Sequence, residues 1–330
     1  MVGRRAPARR PLTGLPRARE SGADAGIGGG GGALAGPDPG FFGPASVTWR
    51  LDREAFLLLG AGPRALLLQI AHPAVAAGVA EHSDFRADPW ARLAGTLRSY
   101  LRIVYGTTAE ARMEIRRLNG LHRDVRGVLD GGGTYAARDP ELALWVHATL
   151  VDSTIAAADA WLEPLDRAAR TRVYEESLPV GRAFGISDAL LPADLEGFET
   201  YVASMLGAGG PVRPGPLARE LAAAILNPPA GPPVRTLAGA AAGLVPEPWL
   251  QRAVVVAEHV PPAALGWLLW PAIGLLPAGV REAYGFRWGP VERGVATWLV
   301  ASWRAWNAVL SPAVRWMPQA RAADRRMRGG

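Results

Sequence analysis

The run Asp139-Pro140-Glu141-Leu142-Ala143-Leu144-Trp145-Val146-His147-Ala148-Thr149-Leu150-Val151, continuing through Thr154 and Ile155 to Trp161, decides the fold class. Asp before Pro is a cap followed by a residue whose φ already suits a helix and whose missing N–H costs nothing in the first turn. No glycine or proline interrupts the stretch after Pro140, so it reads as a helix to about Trp161. The same signature at Asp88-Pro89 opens a helix to about Tyr105. Thr107 and Glu110 have capping-box spacing, and the helix they open should run to the glycines at Gly131 to Gly133. Arg64 to Ile70 is an apolar helical run after Gly62-Pro63, with a kink or break expected at Pro73. Further helices fit Arg167 to Ser177, Asp194 to Leu206, Pro216 to Leu226 and Val291 to Leu310. Strict alternation of β-branched residues is scarce. The expectation is an all-α, single helical domain over residues 41–314.

The ends differ in character. Residues 1–40 are rich in Arg, Pro, Ala and Gly and bury too little apolar surface to offset their ordering entropy, so they read as a disordered tail. Within them Gly26-Ile27-Gly28-Gly29-Gly30-Gly31 matches a dinucleotide fingerprint in form alone, since no strand precedes it. Residues 315–330 read as a basic C-terminal tail. The formal charge of +6 sits in these ends, +3 in residues 1–40 and +4 in 315–330, which leaves the body near −1. No nucleic-acid partner is expected of a body so close to neutral. The paired arginines near the N-terminus lack a following apolar stretch, which points to a cytoplasmic protein. Residues 260–280 carry no charge, but four prolines break the window, so two short buried helices explain it better than a membrane span.

Two absences bound the chemistry. With no lysine, Schiff-base and P-loop mechanisms are excluded; with no cysteine, so are thiolates, disulfides and Cys-held metals. Any metal must be held by carboxylates or by the five histidines, His72, His82, His122, His147 and His259. No Glu stands three residues before any of them, which removes the ferritin-like di-iron pattern, and HExxH and GxSxG are absent. Polar residues set in apolar sequence cluster between His72 and Asp152: Gln69 and His72, the group Glu81 to Arg86, then Arg92 with Thr96, His122 with Arg126, and His147 with Thr154. The last three pairs are four or seven apart, and each shares a helical face. Each also has an ordinary reading as cap, ion pair or core histidine. Single histidines and arginines among apolar helices are the kit for a His-ligated haem.

The run Leu66-Leu67-Leu68-Gln69-Ile70-Ala71-His72-Pro73-Ala74-Val75, followed by His82-Ser83-Asp84-Phe85, resembles the rubber-oxygenase catalytic domain family. So do Arg92-x-x-x-Thr96, Leu121-His122-x-x-Val125-x-Gly127, Tyr135-x-Ala137-x-Asp139-Pro140 and Trp145-Val146-His147-Ala148-Thr149-Leu150. The resemblance implies a globin-like helical core around haem b, acting with dioxygen on an unsaturated apolar chain. It makes His122 the iron ligand, with Arg126 for a propionate, and Arg92 and Thr96 the family's motif residues. A distal lysine just before the motif Thr is replaced here by Gly95. The distal side is then open, filled by water, or closed by His72 or His147.

The reading that results is a haem b oxygenase for an apolar small-to-medium substrate. Arg92, Thr96 and His147 line or brace its catalytic pocket, His122, Arg126, His72 and Gly95 surround the cofactor, and the uncharged stretch Trp267 to Val280 forms an entry wall. A non-catalytic haem or lipophile-binding protein with a closed distal site is the alternative. A scaffold whose basic ends contact nucleic acid or acidic lipid is a third.

Overall fold

A helix of 22 residues, α6 (Pro140–Trp161), organises the molecule because twelve of its residues are buried on more than one side. In the computed structural model, which describes residues 36–83, 89–226 and 270–329, Asp139 caps α6 by accepting from the Glu141 N–H, with Pro140 in the first turn. The partner helix is α2 (Ala55–Ile70), which begins eight residues before Pro63 and carries that proline inside it. The two helices run antiparallel. Arg64 pairs with Asp152 at 2.7 Å and donates to Ser153 at 2.8 Å, Gln69 donates to Thr149 at 3.0 Å, and Gly60 lies against Trp161.

Around this pair stand α1 (Val47–Asp52), α3 (Pro73–His82), α4 (Pro89–Tyr105), α5 (Thr108–Leu121), α7 (Arg167–Ala183), α8 (Leu195–Leu206) and α9 (Pro216–Leu226). After residue 269 come α10 (Trp270–Gly274), α11 (Ala278–Tyr284), α12 (Pro290–Val309), α13 (Pro312–Arg315) and α14 (Pro318–Arg328). The described residues are 71% helical, and the all-α expectation holds. The break at Pro73 is real: α3 leaves α2 at 101°, with His72 capping it through Nδ1, which accepts from the Ala74 N–H at 3.2 Å. Among the described residues no single helix is long and apolar enough to cross a membrane.

Three expectations need correction. The helix opened by Thr107 and Glu110 has the full reciprocal capping box, but it stops at Leu121. A 3-10 turn, His122–Asp124, follows it, and then an antiparallel hairpin of β1 (Arg126–Leu129) and β2 (Gly133–Ala136). Gly120 weakens the end of the helix, Val125 and Val128 favour extended backbone, and Gly132 takes φ +86° in the turn. The second concerns residues 315–330, which are no free tail. Met317, Ala320 and Ala323 are buried with Trp49, Leu101, Val104 and Tyr105, and Asp324 accepts from the Trp49 indole at 3.0 Å. The third is the boundary at 40, because the described fold begins earlier. Asp38 caps the start of α5, accepting from the Thr108 N–H and hydroxyl at 2.8 Å each.

Of the uncharged window, residues from 270 onward form the short helices α10 and α11, with Pro271, Ala272, Ile273 and Val280 buried. Asp84, Asp88, His259 and the glycine run at 26–31 lie outside the described residues.

Candidate functional site

His122 stands where α5 gives way to the hairpin, its backbone N–H donating to the Gly120 and Leu118 carbonyls. The ring is half-buried. Burial, and after it the charge of Arg92 on α4, hold its pKa below the usual histidine value, so the imidazole is neutral at pH 7. Among the described residues no hydrogen bond engages either ring nitrogen. A neutral imidazole with free nitrogens beside a cation is suited to ligate a metal.

The helices that hold His122 and Arg92 are locked together by a buried carboxylate. Glu114 on α5, 3% exposed, takes Arg102 of α4 at 3.1 Å and Arg117 on its own helix, and the Arg117 guanidinium also donates to Ser99 of α4. Hydrogen bonding from Arg117 pulls the Glu114 pKa down to about 2. On the far side of His122, the hairpin is pinned to α3. Tyr135 donates to Glu81 at 2.7 Å, and His82 Nε2 donates to the Arg126 carbonyl at 3.2 Å. Gly127 makes this approach possible, since a Cβ there would sit 2.8 Å from both the Glu81 carboxylate and the Tyr135 ring.

The other expected site residues divide sharply. Arg126 does not share a helical face with His122; it lies on β1 with an exposed side chain and no ion pair among the described residues. Thr96 is exposed and its hydroxyl donates back to the Arg92 carbonyl at 3.0 Å, which fixes Arg92's own turn of helix. Gly95 faces open space, with nothing within 4 Å of a Cβ built there. His147 is fully enclosed at the α6–α7 packing. Ser177 gives its own hydrogen to the Tyr174 carbonyl at 2.7 Å, so its oxygen accepts from His147 Nε2–H at 3.2 Å, and Gly181 packs against the ring. Burial pushes the His147 pKa down to about 4. His72, with Nδ1 accepting from the backbone, carries its proton on Nε2. His72 therefore has no free lone pair, while His147 keeps the one on Nδ1 but holds it inside the α6–α7 packing.

The expected entry wall does line a cavity, through Pro271, Gly274 and Leu275, but at the other end of α6. Leu142, in the first turn of α6, packs on the same buried cluster as Val125, three residues from His122, whereas the cavity is walled by Trp161, the last residue. A helix of 22 residues spans about 33 Å. Glu114 and Ser177 were invisible as site residues in the sequence; only Glu114, an acid flanked by arginines on an amphipathic helix, left any trace there.

Residues 49–308 match the family described as ER-bound oxygenase mpaB/B'/Rubber oxygenase, catalytic domain. The chain belongs to this family. Membership places an oxygenase catalytic domain on the described helices and accounts for the motif order from Gln69 to Leu150. An uncharacterized protein of Mycobacterium tuberculosis and another of Mycobacterium bovis are each 29% identical over 141 residues. The match takes in 41% of this chain and 55% of each relative, so the chain spans about half the length of these curated relatives. No solved structure matches the chain.

Within the oxygenase family fold, the residues present fit a His-ligated haem in one respect that matters. One neutral, half-buried imidazole has no competing hydrogen bond, and Arg92, without an ion-pair partner among the described residues, stands near it. No group of three His, Cys, Asp or Glu able to hold a bare metal ion occurs among the described residues.

Proposed function

We propose that this domain is a haem b-dependent oxygenase that uses dioxygen on an apolar, unsaturated substrate of small to medium size. The observation that carries the reading is the state of His122: neutral, half-buried, beside Arg92 and unengaged at both ring nitrogens among the described residues. Bound there, haem b would supply an iron centre for dioxygen.

The chain's own residues do the rest. His122 offers the ligating nitrogen, and its position at a helix C-terminus between the Glu114-locked helices and the pinned hairpin limits how far the ring can move. Arg92 and Arg126 would supply positive charge for propionates, and burial, with Arg92 after it, keeps His122 from protonating. Thr96 bonds the Arg92 carbonyl one turn back on the same helix. Gly95 leaves open space where the resembled rubber oxygenases carry a lysine, so this position would bring no cation to a bound haem. His147 and His72 act in packing and capping, which weakens the reading of a closed, six-coordinate binding protein.

Absorption spectroscopy of the purified, haem-loaded protein tests this directly. The wild type should show a Soret band that shifts on reduction under carbon monoxide, and His122→Ala should lose most of its bound haem while keeping its helical circular dichroism. Retention of full haem content by folded His122→Ala overturns the assignment of the ligand.

A further inference from the structure

α12 packs on the rest of the molecule through Trp303 and Ala296. Trp303 stacks on Phe56 of α2 with ring centroids 5.2 Å apart and meets the Trp161 ring edge-on at 4.8 Å, and Ala296, two turns earlier on the same side of the helix, is buried. The opposite side faces solvent, yet it is apolar. Val291, Val295, Trp298, Ser302, Ala305 and Val309 follow one another at spacings of four, three, four, three and four, the alternation of a coiled-coil seam. Val291, Trp298 and Val309 on this seam, with Trp306 beside it, are 61–74% exposed and make up half of the eight large apolar side chains that stand exposed among the described residues. No charge lies on the seam, and Gly294, Ala301 and Ala308 follow it along one edge. An uncharged strip that runs the length of a 20-residue helix, about 30 Å, marks an interaction surface.

The order of side chains along the strip identifies its partner. Reversed on itself about a two-fold axis level with residue 300, the seam sets Trp298 opposite Ser302 of the second copy, Val295 opposite Ala305, and Val291 opposite Val309. At each of the four inner layers a large residue of one helix meets a small one of the other, the fit that lets two helices interdigitate. An anionic bilayer suits the strip poorly, because helices that lie on such surfaces carry Lys or Arg beside their apolar face. Here Arg304 turns to the Asp159 carbonyl at 3.1 Å, and the charged residue that adjoins the seam is Glu292, whose carboxylate accepts from the Gly289 N–H. We propose that α12 is a homodimerisation helix: two copies of the chain pair antiparallel through this seam, with Trp298 of each copy buried against Ser302 of the other. Tryptophan is among the residues that most often anchor an interface.

Sedimentation velocity of the full chain over a concentration series tests the pairing. The wild type should dimerise with a dissociation constant in the micromolar range or tighter. Trp298→Glu, and Ser302→Trp, which sets two indoles against each other in one layer, should each weaken the dimer at least about thirtyfold, the scale of a lost anchor residue, with helical circular dichroism unchanged. Trp298→Ser combined with Ser302→Trp exchanges large and small within the same layers and should restore the dimer to within about tenfold of the wild type, as a volume-conserving exchange allows. A wild type that stays monomeric at about 100 µM overturns the proposal, since that lies well above the dissociation constants of specific interfaces. So does a dimer that survives Trp298→Glu, or a folded exchange variant that stays monomeric. Monomeric wild type that sediments with phosphatidylglycerol vesicles, and loses them in Trp298→Glu, overturns it in favour of a lipid-facing strip.

Discussion

At the scale of single residues, the three best-placed histidines differ in what their neighbours have already claimed. His72 and His147 each have a ring nitrogen committed to protein, and His122 has neither committed among the described residues. Sequence placed all three in apolar surroundings but could not show which ring nitrogens were engaged, because Ser177 and the Ala74 N–H meet them only through tertiary or cap geometry. Asp52 makes a second residue-scale case. It is fully buried, accepts from the Tyr100 hydroxyl at 2.7 Å, and its other oxygen has no partner, so burial raises its pKa to about 7. An acid whose folded pKa lies above its unfolded value stabilises fully below the unfolded value, and loses that contribution as pH rises through the folded one. Asp52→Asn should therefore gain on the wild type in urea denaturation as pH climbs from about 4 to about 7, then hold level. A difference that stays constant over that range would sink the assignment. His147 works the other way: with its pKa at about 4, its contribution is complete above the unfolded value near 6.5 and declines as pH falls toward 4.

At the scale of elements, the helices with strong local caps were the legible ones. Asp139-Pro140 and the Thr107–Glu110 box state their starts within four residues, and the structure shows both. The end of α5 was not legible, because Leu121, His122 and Arg123 have no breaker among them. The hairpin that replaces the expected helix depends on Tyr135 reaching Glu81 across Gly127, a contact over 54 residues. Gly127→Leu should therefore disturb the hairpin and, through it, His122; a lowered thermal midpoint together with reduced haem retention is the expected outcome, and unchanged retention would argue against coupling. The α4–α5 lock predicts more. Glu114→Gln removes the charge that Arg102 and Arg117 share and should cost about 1–3 kcal/mol of stability at pH 7. Because the Glu114 pKa is lowered to about 2, that cost should shrink as pH falls from about 4.5 toward 2.

At the scale of the whole molecule, the C-terminal segment is the largest departure from what composition suggested. Five arginines in sixteen residues read as a solvated tail, yet alanines at 320 and 323 and Met317 give α14 a narrow buried face. Arg315 reaches the buried Glu54 carboxylate at 3.0 Å, Trp316 donates to it at 3.0 Å and stacks under Arg53, and Arg326 donates to the Tyr105 carbonyl. Truncation after residue 310 would leave Glu54 buried with only Arg53 beside it, and should cost about 3–5 kcal/mol. A denaturation midpoint unchanged by the truncation would show that this segment adds nothing. The amphipathic pattern was present in the sequence, but a stripe of alanines carries too little hydrophobicity to stand out against five positive charges.

That clasp also sets an order of events. Glu54 begins α2, and its cationic partner Arg315 is made 261 residues later. While a ribosome still holds the last helices, an emerging chain can pair α2 with α6, yet must keep the Glu54 carboxylate hydrated or protonated. Closure over α1 and α4 is consequently a late event in the life of each molecule, and a chain stalled just short of Arg315 would present an unfinished but helical core to chaperones and proteases.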